Sequence, residues 1–130
     1  MKRPRDLARR FLALADRDIK AFQRLADSTE IDDAAVGFHA QQAVEKCLKA
    51  VLALHEVPVR RTHNLDELVD LLRDGRHAVP PNVEVLDLLN PYAVILRYDF
   101  VEFTDLDRQQ AREIVEGVRR WAEDQVRTVS

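Results

Sequence analysis

One stretch of the sequence decides the fold: residues 38–54, which read FHAQQAVEKCLKAVLAL. It contains neither Gly nor Pro and consists largely of good helix formers, so it predicts about five turns of uninterrupted α-helix. At about 100° per residue, two adjacent apolar faces cover well over half of the helix circumference. The first face contains Val36, Ala40, Ala43, Val44, Cys47, Val51 and Leu54, and the second contains Phe38, Leu48 and Leu52. We therefore expect neighbours to bury this helix on several sides.

A carboxylate interrupts the second apolar face. Gln41 and Glu45 lie one helical turn apart inside it. A buried carboxylate needs a partner, and a bidentate pair with an arginine is a common way to provide one. Arg97 is the candidate, because it leaves the other helix that we expect to be central. We therefore assign Gln41 and Glu45 a structural role, fixing the central helix against Arg97.

The remaining side of the central helix is polar. It carries His39, Gln42, Lys46 and Lys49 at spacings of three and four residues, which place them on one helix face. An imidazole, an amide and two ammonium groups offer hydrogen-bond donors and positive charge to a phosphate. The same strip also suits an ordinary solvated face, so the residues alone leave both interpretations open.

A first helix is predicted over residues 4–26. Its apolar stripe recurs at spacings of three to five and consists of Leu7, Phe11, Leu14, Ile19, Phe22 and Leu25. Asp18 lies at the centre of that stripe. It is either a rim carboxylate that reaches water or one side of a polar contact across the bundle.

Polar breaks separate the next two helices. Residues 27–33 supply four candidate N-caps for the central helix, which are Ser28, Thr29, Asp32 and Asp33. Pro58 ends that helix near residue 56. Asn64, with Glu67 three residues later, resembles a capping box and starts a short third helix, which Gly75 ends.

Two further helices complete the prediction. Residues 83–98 are apolar in nearly every direction, which predicts a second central helix with a kink near Pro91. Thr104 is the expected cap of the last helix. Its inward stripe contains Leu106, Ala111, Ile114, Val115, Val118, Trp121 and Ala122. The fold class is therefore all-α, a five-helix up-and-down bundle with the second and fourth helices innermost.

Composition narrows the class of protein. A chain of 130 residues suits one domain over residues 1–130, and 46% hydrophobic with 33% charged residues is typical of soluble globular proteins. A formal charge of -3 argues against general DNA binding, which excess Lys and Arg drive. With no signal peptide and no long apolar run, we expect a cytoplasmic protein without a membrane span.

Several enzyme templates are missing from the sequence. It contains no GxxxxGK[ST] or GxGxxG loop for phosphates, and no HExxH or CxxC cluster for a metal. The four histidines, His39, His55, His63 and His77, lie on different elements and do not indicate a zinc site. The single Cys47 lies on an apolar face and suits a reduced core thiol. We therefore assign no catalytic residue, cofactor or metal.

Three segments together resemble one known family. These are FHAQQAVEKCLKAVL, then THNLDEL after a loop, then a fourth helix that closes in RYD. They are similar to the HEPN domain, named for nucleotide binding in higher eukaryotes and prokaryotes, and the resemblance covers nearly the whole chain. It implies a five-helix up-and-down bundle that is frequently dimeric. It also implies a frequent partner, a minimal nucleotidyltransferase encoded alongside.

The resemblance also bears on catalysis. Many HEPN proteins are described as metal-independent RNases that use an Arg and, four to six residues later, a His. Arg97 matches the arginine, but Glu102 stands after four intervening residues, and neither Phe103 nor Thr104 supplies the imidazole. A glutamate near phosphodiester oxygens repels them, so this departure disfavours cleavage.

The pair Arg97-Tyr98 instead resembles the nucleotide-binding branch of the family, where RYP is common and this chain has Asp99 in place of Pro. We therefore expect a module that binds a nucleotide or a partner nucleotidyltransferase in a toxin-antitoxin-like pair, and that forms a homodimer. The expected ligand residues are His39, Gln42, Lys46, Lys49, His63, Arg97 and Tyr98. The alternatives are an RNase toxin, with Tyr98 as a modification target, and a helical adaptor without a ligand.

Overall fold

The structure, a computed structural model, describes residues 3–59, 61–93 and 106–128. Within these residues the chain forms four α-helices, one 3₁₀ helix and no strand. They are α1 (Pro4–Ala26), α2 (Asp33–Leu54), α3 (Leu65–Asp74), the 3₁₀ helix (Val83–Ala93) and α4 (Arg108–Thr128). The prediction of an all-α bundle is confirmed. Every helix in the described ranges is too short or too polar to cross a lipid bilayer.

The predicted caps of α2 and α3 are present. The Asp32 carboxylate accepts a hydrogen bond from the Ala35 N–H at 3.0 Å. The Asn64 side chain accepts one from the Glu67 N–H at 3.1 Å, and the Asn64 N–H itself donates to Thr62. Each cap satisfies a backbone donor that the helix leaves free. Among the four candidates in residues 27–33, Asp32 is therefore the cap of α2.

The central position of α2 follows from its apolar circumference. It contacts α1, α3, the 3₁₀ helix and α4. Residues on every side of it are buried, and these are Val36, Gly37, Ala40, Gln41, Ala43, Val44, Glu45, Cys47, Leu48, Ala50, Val51 and Leu52. The prediction that this helix is the core of the bundle is confirmed.

The buried face of α1 differs from the predicted stripe. Leu7 and Leu14 are 41% and 39% exposed, whereas Ala8 and Ala15, the next residue in each case, are fully buried. The side of α2 that is buried contains small residues as well, among them Ala40 and Ala43. Small side chains let two helix backbones approach closely, which is consistent with burial of the alanines in place of the leucines. In the first half of α1, hydrophobicity alone placed the stripe one residue too early, whereas Asp18 and Phe22 are buried as predicted.

The described part of the fourth helix is wound differently from the prediction. Residues 83–93 form a 3₁₀ helix, and its buried side chains are Leu86, Leu89 and Tyr92. Every third residue shares a face in a 3₁₀ helix, so only one side of it is buried, and Leu88 is 50% exposed. The prediction of a second all-round central α-helix is therefore wrong for these residues. Residues 94–98, including Arg97 and Tyr98, lie outside the described ranges.

The start of α4 fastens three segments together. Arg108 donates hydrogen bonds to the carbonyl oxygens of Ala26, Ser28 and Ile31, at 3.0, 2.8 and 2.5 Å. It also donates to the Asp33 carboxylate at 3.0 Å. These contacts join the end of α1, the start of α2 and the start of α4. The expected cap Thr104 lies outside the described residues, and α4 begins after Asp107, whose carboxylate accepts from the Gln110 N–H.

Candidate functional site

The first polar cluster joins α1 to α2 through a buried carboxylate. Asp18 is 9% exposed and comes from the inward face of α1. One of its oxygens lies 3.1 Å from His39 Nδ1, and the other accepts from Lys46 Nζ at 2.5 Å. Asp18 therefore makes a polar contact across the bundle, the second of the two interpretations of this residue. His39 and Lys46 lie two helical turns apart on α2, and the two oxygens of one carboxylate span them.

This cluster opens into a small cleft. The cleft has a volume of about 360 Å³ and is lined by Leu14, Arg17, Asp18, His39 and Lys46. Arg17 and Lys46 outweigh the one carboxylate of the lining, so it carries a net positive charge. An ionised carboxylate only accepts hydrogen bonds, so the His39 Nδ1 carries a proton and Nε2 is the nitrogen left for other partners. Lys46 has two further N–H donors. The cleft is therefore suited to an anion.

The second cluster surrounds Glu45, which is 3% exposed. Lys49 Nζ donates to one carboxylate oxygen at 2.9 Å. His63 Nδ1 and Gln41 Nε2 lie 3.0 and 3.1 Å from the other oxygen. Burial alone would raise the pKa of the Glu45 carboxyl, but the hydrogen bonds from Lys49, Gln41 and His63 together outweigh burial and hold the pKa below its usual value. Glu45 is therefore an ionised carboxylate inside the bundle.

Gln41 ties the second cluster to the loop before α3. Its Nε2 also donates to the His63 carbonyl oxygen at 2.8 Å. Its Oε1 accepts from Gln42 Nε2 at 2.7 Å. Both ends of the buried amide are thus satisfied, and the loop that carries His63 is held against α2. The predicted partner of Glu45, Arg97, lies outside the described residues.

The structure divides the predicted polar strip. His39 and Lys46 belong to the Asp18 cluster, Lys49 belongs to the Glu45 cluster, and Gln42 bonds to Gln41. The residues assigned to structure and the residues assigned to a ligand are therefore bonded to each other. His63 is about half exposed and lies with Lys49 on Glu45. Tyr98 and Arg97 remain predictions.

Sequence reasoning missed Arg17 as a site residue. It precedes Asp18 on α1, but its place in the cleft depends on the rotation of α1 against α2. The available signal was the neighbouring Asp18. A carboxylate at the centre of an apolar stripe indicates a polar contact, and the residues beside it lie at the edge of that contact. In the described ranges no three His, Cys, Asp or Glu side chains form a group that could hold a metal ion.

The fold and the site together define a class of protein: a helical bundle whose central helix carries buried polar clusters beside an anion-suited cleft. The family model of the HEPN domain matches residues 8–125, so the chain belongs to the HEPN family. The chain is therefore a nucleotide-related or RNase-like module in the general sense of that family. The suspected resemblance is confirmed. Searches among curated proteins and among solved structures found no significant match.

Proposed function

We propose that this HEPN chain is a nucleotide-binding module, and that the phosphate of the nucleotide lies in the cleft lined by Arg17, His39 and Lys46. The observation that carries the proposal is the cleft itself. It brings two of the sequence-predicted ligand residues, His39 and Lys46, to one anion-suited opening beside the buried Asp18. Its volume of about 360 Å³ is at the lower end of the range for small-molecule sites, which suits a phosphate with part of its nucleoside.

Asp18 has a positioning role in this proposal. It holds the imidazole of His39 and the ammonium of Lys46 at set positions, so less conformational entropy is lost when a phosphate binds. The two free N–H groups of Lys46 and the exposed guanidinium of Arg17 then donate to phosphate oxygens. Arg97 and Tyr98 are further ligand residues in the proposal, on the strength of the family resemblance alone.

Calorimetric titration of the whole chain with AMP and ATP tests the proposal. The Arg17→Gln variant removes a charge at an exposed position, and Lys46→Gln removes the charge that is paired with Asp18. We expect each to raise Kd about tenfold, the effect of one well-placed charged hydrogen bond. Lys20→Gln, on the same helix and outside the cleft lining, is the matched control and leaves Kd unchanged. No binding heat with either nucleotide would contradict the proposal and favour the helical adaptor.

We also propose that the chain is a homodimer and the companion of a minimal nucleotidyltransferase in a toxin-antitoxin-like pair. The resemblance stated above supports both. The exposed Leu88, which lines neither cleft, is compatible with the dimer. Light scattering of the purified chain measures its mass. Co-expression with a nucleotidyltransferase encoded next to it, followed by co-purification, tests the pairing, and a monomer that captures no such protein would contradict both parts.

One observation favours the RNase alternative. The carboxylate of Asp18 orients the imidazole of His39 and leaves Nε2 as a possible acid or base, although Glu102 stands where the family has its histidine. The test is RNA cleavage in the presence of a metal chelator by the wild type, Arg97→Ala and His39→Ala. Cleavage that both substitutions abolish would establish the RNase. If the wild-type chain does not cleave RNA, the RNase alternative is excluded and the proposal of a nucleotide-binding module stands.

A further inference from the structure

A larger cleft lies where the first turns of α1 meet the end of α2 and the loop after it. Its volume is about 800 Å³, within the range of sites for small organic molecules. Its walls include the apolar side chains of Leu7, Phe11, Ala53, Val57 and Val59. Leu7 is 41% exposed, so a large aliphatic side chain faces water there. An aliphatic ligand in this cleft releases the water that covers these walls, which favours binding.

The charges around the cleft are unequal. The lining contains three cations, Arg3, Lys49 and Arg61, and one carboxylate, Glu56. No carboxylate of the described residues forms an ion pair with Arg3 or Arg61. Lys49 donates one N–H to Glu45 and has two more. A chain with a formal charge of -3 therefore has a cationic rim at this position.

The lining also limits the kind of ligand. Its side chains in the described residues include no amide and no hydroxyl group. Such groups are the usual means of reading the hydrogen-bonding edge of a base or a sugar, so the walls suit a hydrocarbon chain better than a nucleoside. The rim adds a preference for an anionic head group.

We propose that this cleft binds a linear aliphatic carboxylate. The hydrocarbon chain packs against Leu7, Phe11 and Val57, and the carboxylate pairs with Arg61 and with the free N–H groups of Lys49. Because Lys49 is also bonded to Glu45, the bound head group lies next to the Glu45 cluster. The proposed site is separate from the cleft of Arg17, His39 and Lys46, and its failure leaves the nucleotide proposal untouched.

Calorimetric titration of the full chain with three probes tests the ligand class. The probes are decanoate, butanoate and decyltrimethylammonium, each below its micelle concentration. We expect saturable binding of one decanoate per chain. Butanoate binds at least about tenfold more weakly because it buries fewer methylene groups. The cationic amphiphile also binds at least about tenfold more weakly because the rim repels it.

Matched variants test the location. Leu7→Gln and Arg61→Glu change one wall residue and one rim residue, and we expect each to raise the Kd of decanoate about fivefold or more. Leu88→Gln and Arg120→Glu make the same changes at exposed positions outside the cleft and leave Kd unchanged. Amide resonances of Ala53 and Val57 shift on titration, whereas those of His39 and Lys46 do not.

Three results would overturn the proposal. The first is an equal Kd for decanoate and for the cationic amphiphile, which indicates adsorption to apolar surface. The second is an equal effect of Arg61→Glu and Arg120→Glu. The third is an absence of decanoate binding together with a dimer that Leu7→Gln converts to monomer, because the occupant of the cleft is then a second copy of the chain.

Discussion

Glu45 is a charged side chain retained inside a helical bundle, and its surroundings explain how. Within the described part of the chain its carboxylate has three donors, from Lys49, His63 and Gln41, and each comes from a residue that lies on α2 or is held against it. The Lys49 and His63 side chains are 23% and 47% exposed, so the positive charge of the cluster reaches water while the negative charge does not. The carboxylate therefore keeps its charge at the core.

Replacing Glu45 by Gln removes this charge and one acceptor oxygen. We expect the free energy of unfolding to fall by about 2 kcal/mol at neutral pH, less than for a fully enclosed ion pair because Lys49 and His63 can turn to water. Chemical denaturation measures the change. Glu116→Gln, at an exposed position of α4, is the control and stays within about 0.5 kcal/mol of the wild type. Equal stability of the wild type and Glu45→Gln would show that the carboxylate is dispensable.

The lowered pKa of Glu45 predicts where this contribution disappears. The folded chain binds its proton at lower pH than the unfolded chain, whose carboxyl has the ordinary pKa of 4.5. The stabilisation is therefore fully present above pH 4.5 and is lost as the pH falls through the lower pKa of the folded state. We expect the difference in stability between the wild type and Glu45→Gln to shrink in that acid range. A difference that stays constant with pH would contradict this.

Cys47 gives a second prediction for a single residue. It is a buried thiol of α2, and burial raises its pKa to about 12, so almost no thiolate forms at neutral pH. We expect no reaction with a disulfide reagent such as dithionitrobenzoate in the native protein, and complete reaction in guanidinium chloride. Absorbance of the released thiol reports both. Rapid modification without denaturant would mean that α2 is not held as the structure has it.

Between elements, the contact of α2 with the 3₁₀ helix depends on a glycine. A Cβ atom added to Gly37 would lie 2.4 Å from Cδ1 of the Tyr92 ring, closer than real contacts allow. The hydrogen at this position lets the aromatic ring lie directly on the helix backbone. Tyr92 is the last of the three buried residues of the 3₁₀ helix, so this contact sets how closely the 3₁₀ helix approaches the core.

Gly37→Ala should therefore destabilise the fold by about 1–3 kcal/mol, the usual result of overpacking. In a Tyr92→Ala background the same substitution has space, and the better helix propensity of Ala, about 1 kcal/mol over Gly, makes it neutral or stabilising. A double-mutant cycle in denaturant measures the coupling. Equal effects of Gly37→Ala in the two backgrounds would show that the ring does not limit this position.

Arg108 connects elements by a different means. Its guanidinium satisfies carbonyl oxygens at the end of α1 and in the turn that follows, and it pairs with Asp33 at the start of α2. One side chain therefore holds the α1–α2 connection against the start of α4. Arginine suits this role because its planar head carries five N–H donors.

We expect Arg108→Ala to lower the free energy of unfolding by about 3 kcal/mol, since several partly buried carbonyls and a carboxylate lose their donor. The stability of Arg108→Lys should lie between those of Arg108→Ala and the wild type, because one ammonium group cannot make all the hydrogen bonds of the planar guanidinium. The control is Arg112→Ala, whose pair with the exposed Asp27 is worth at most about 1 kcal/mol. Thermal and chemical unfolding measure all three. Similar losses of unfolding free energy for Arg108→Ala and Arg112→Ala would contradict the role of Arg108 in holding the α1–α2 connection against α4.

At the scale of the whole molecule, two histidines join the ends of α2 and α3. The rings of His55 and His77 are stacked, with centroids 3.8 Å apart and an angle of 10° between the planes. Burial, and then the neighbouring His77, lower the pKa of His55. Protonation of both rings would place like charges against each other, so the stack belongs to the neutral form.

The sign of the resulting pH dependence is fixed by linkage. The unfolded chain, with the ordinary histidine pKa of 6.5, takes up a proton at higher pH than the folded chain. The free energy of unfolding therefore falls as the pH drops below 6.5. This happens at a higher pH than the loss of the stabilisation by Glu45. We expect His77→Gln to reduce the slope of stability against pH just below 6.5. An unchanged slope in that variant would exclude the stack as its source.

The sequence by itself determined the four α-helices, the caps of α2 and α3 and the central place of α2, because these depend on backbone hydrogen bonds and on a period of 3.6 residues, both of them local. It also singled out Asp18 and Glu45 as carboxylates in need of partners. Only the tertiary structure decided which partners they have. In the structure, Asp18 meets His39 and Lys46, residues 83–93 form a 3₁₀ helix with one buried side, and two clefts are open. The rotation of one helix against another depends on the sum of many weak contacts between distant residues, and no local pattern carries that sum.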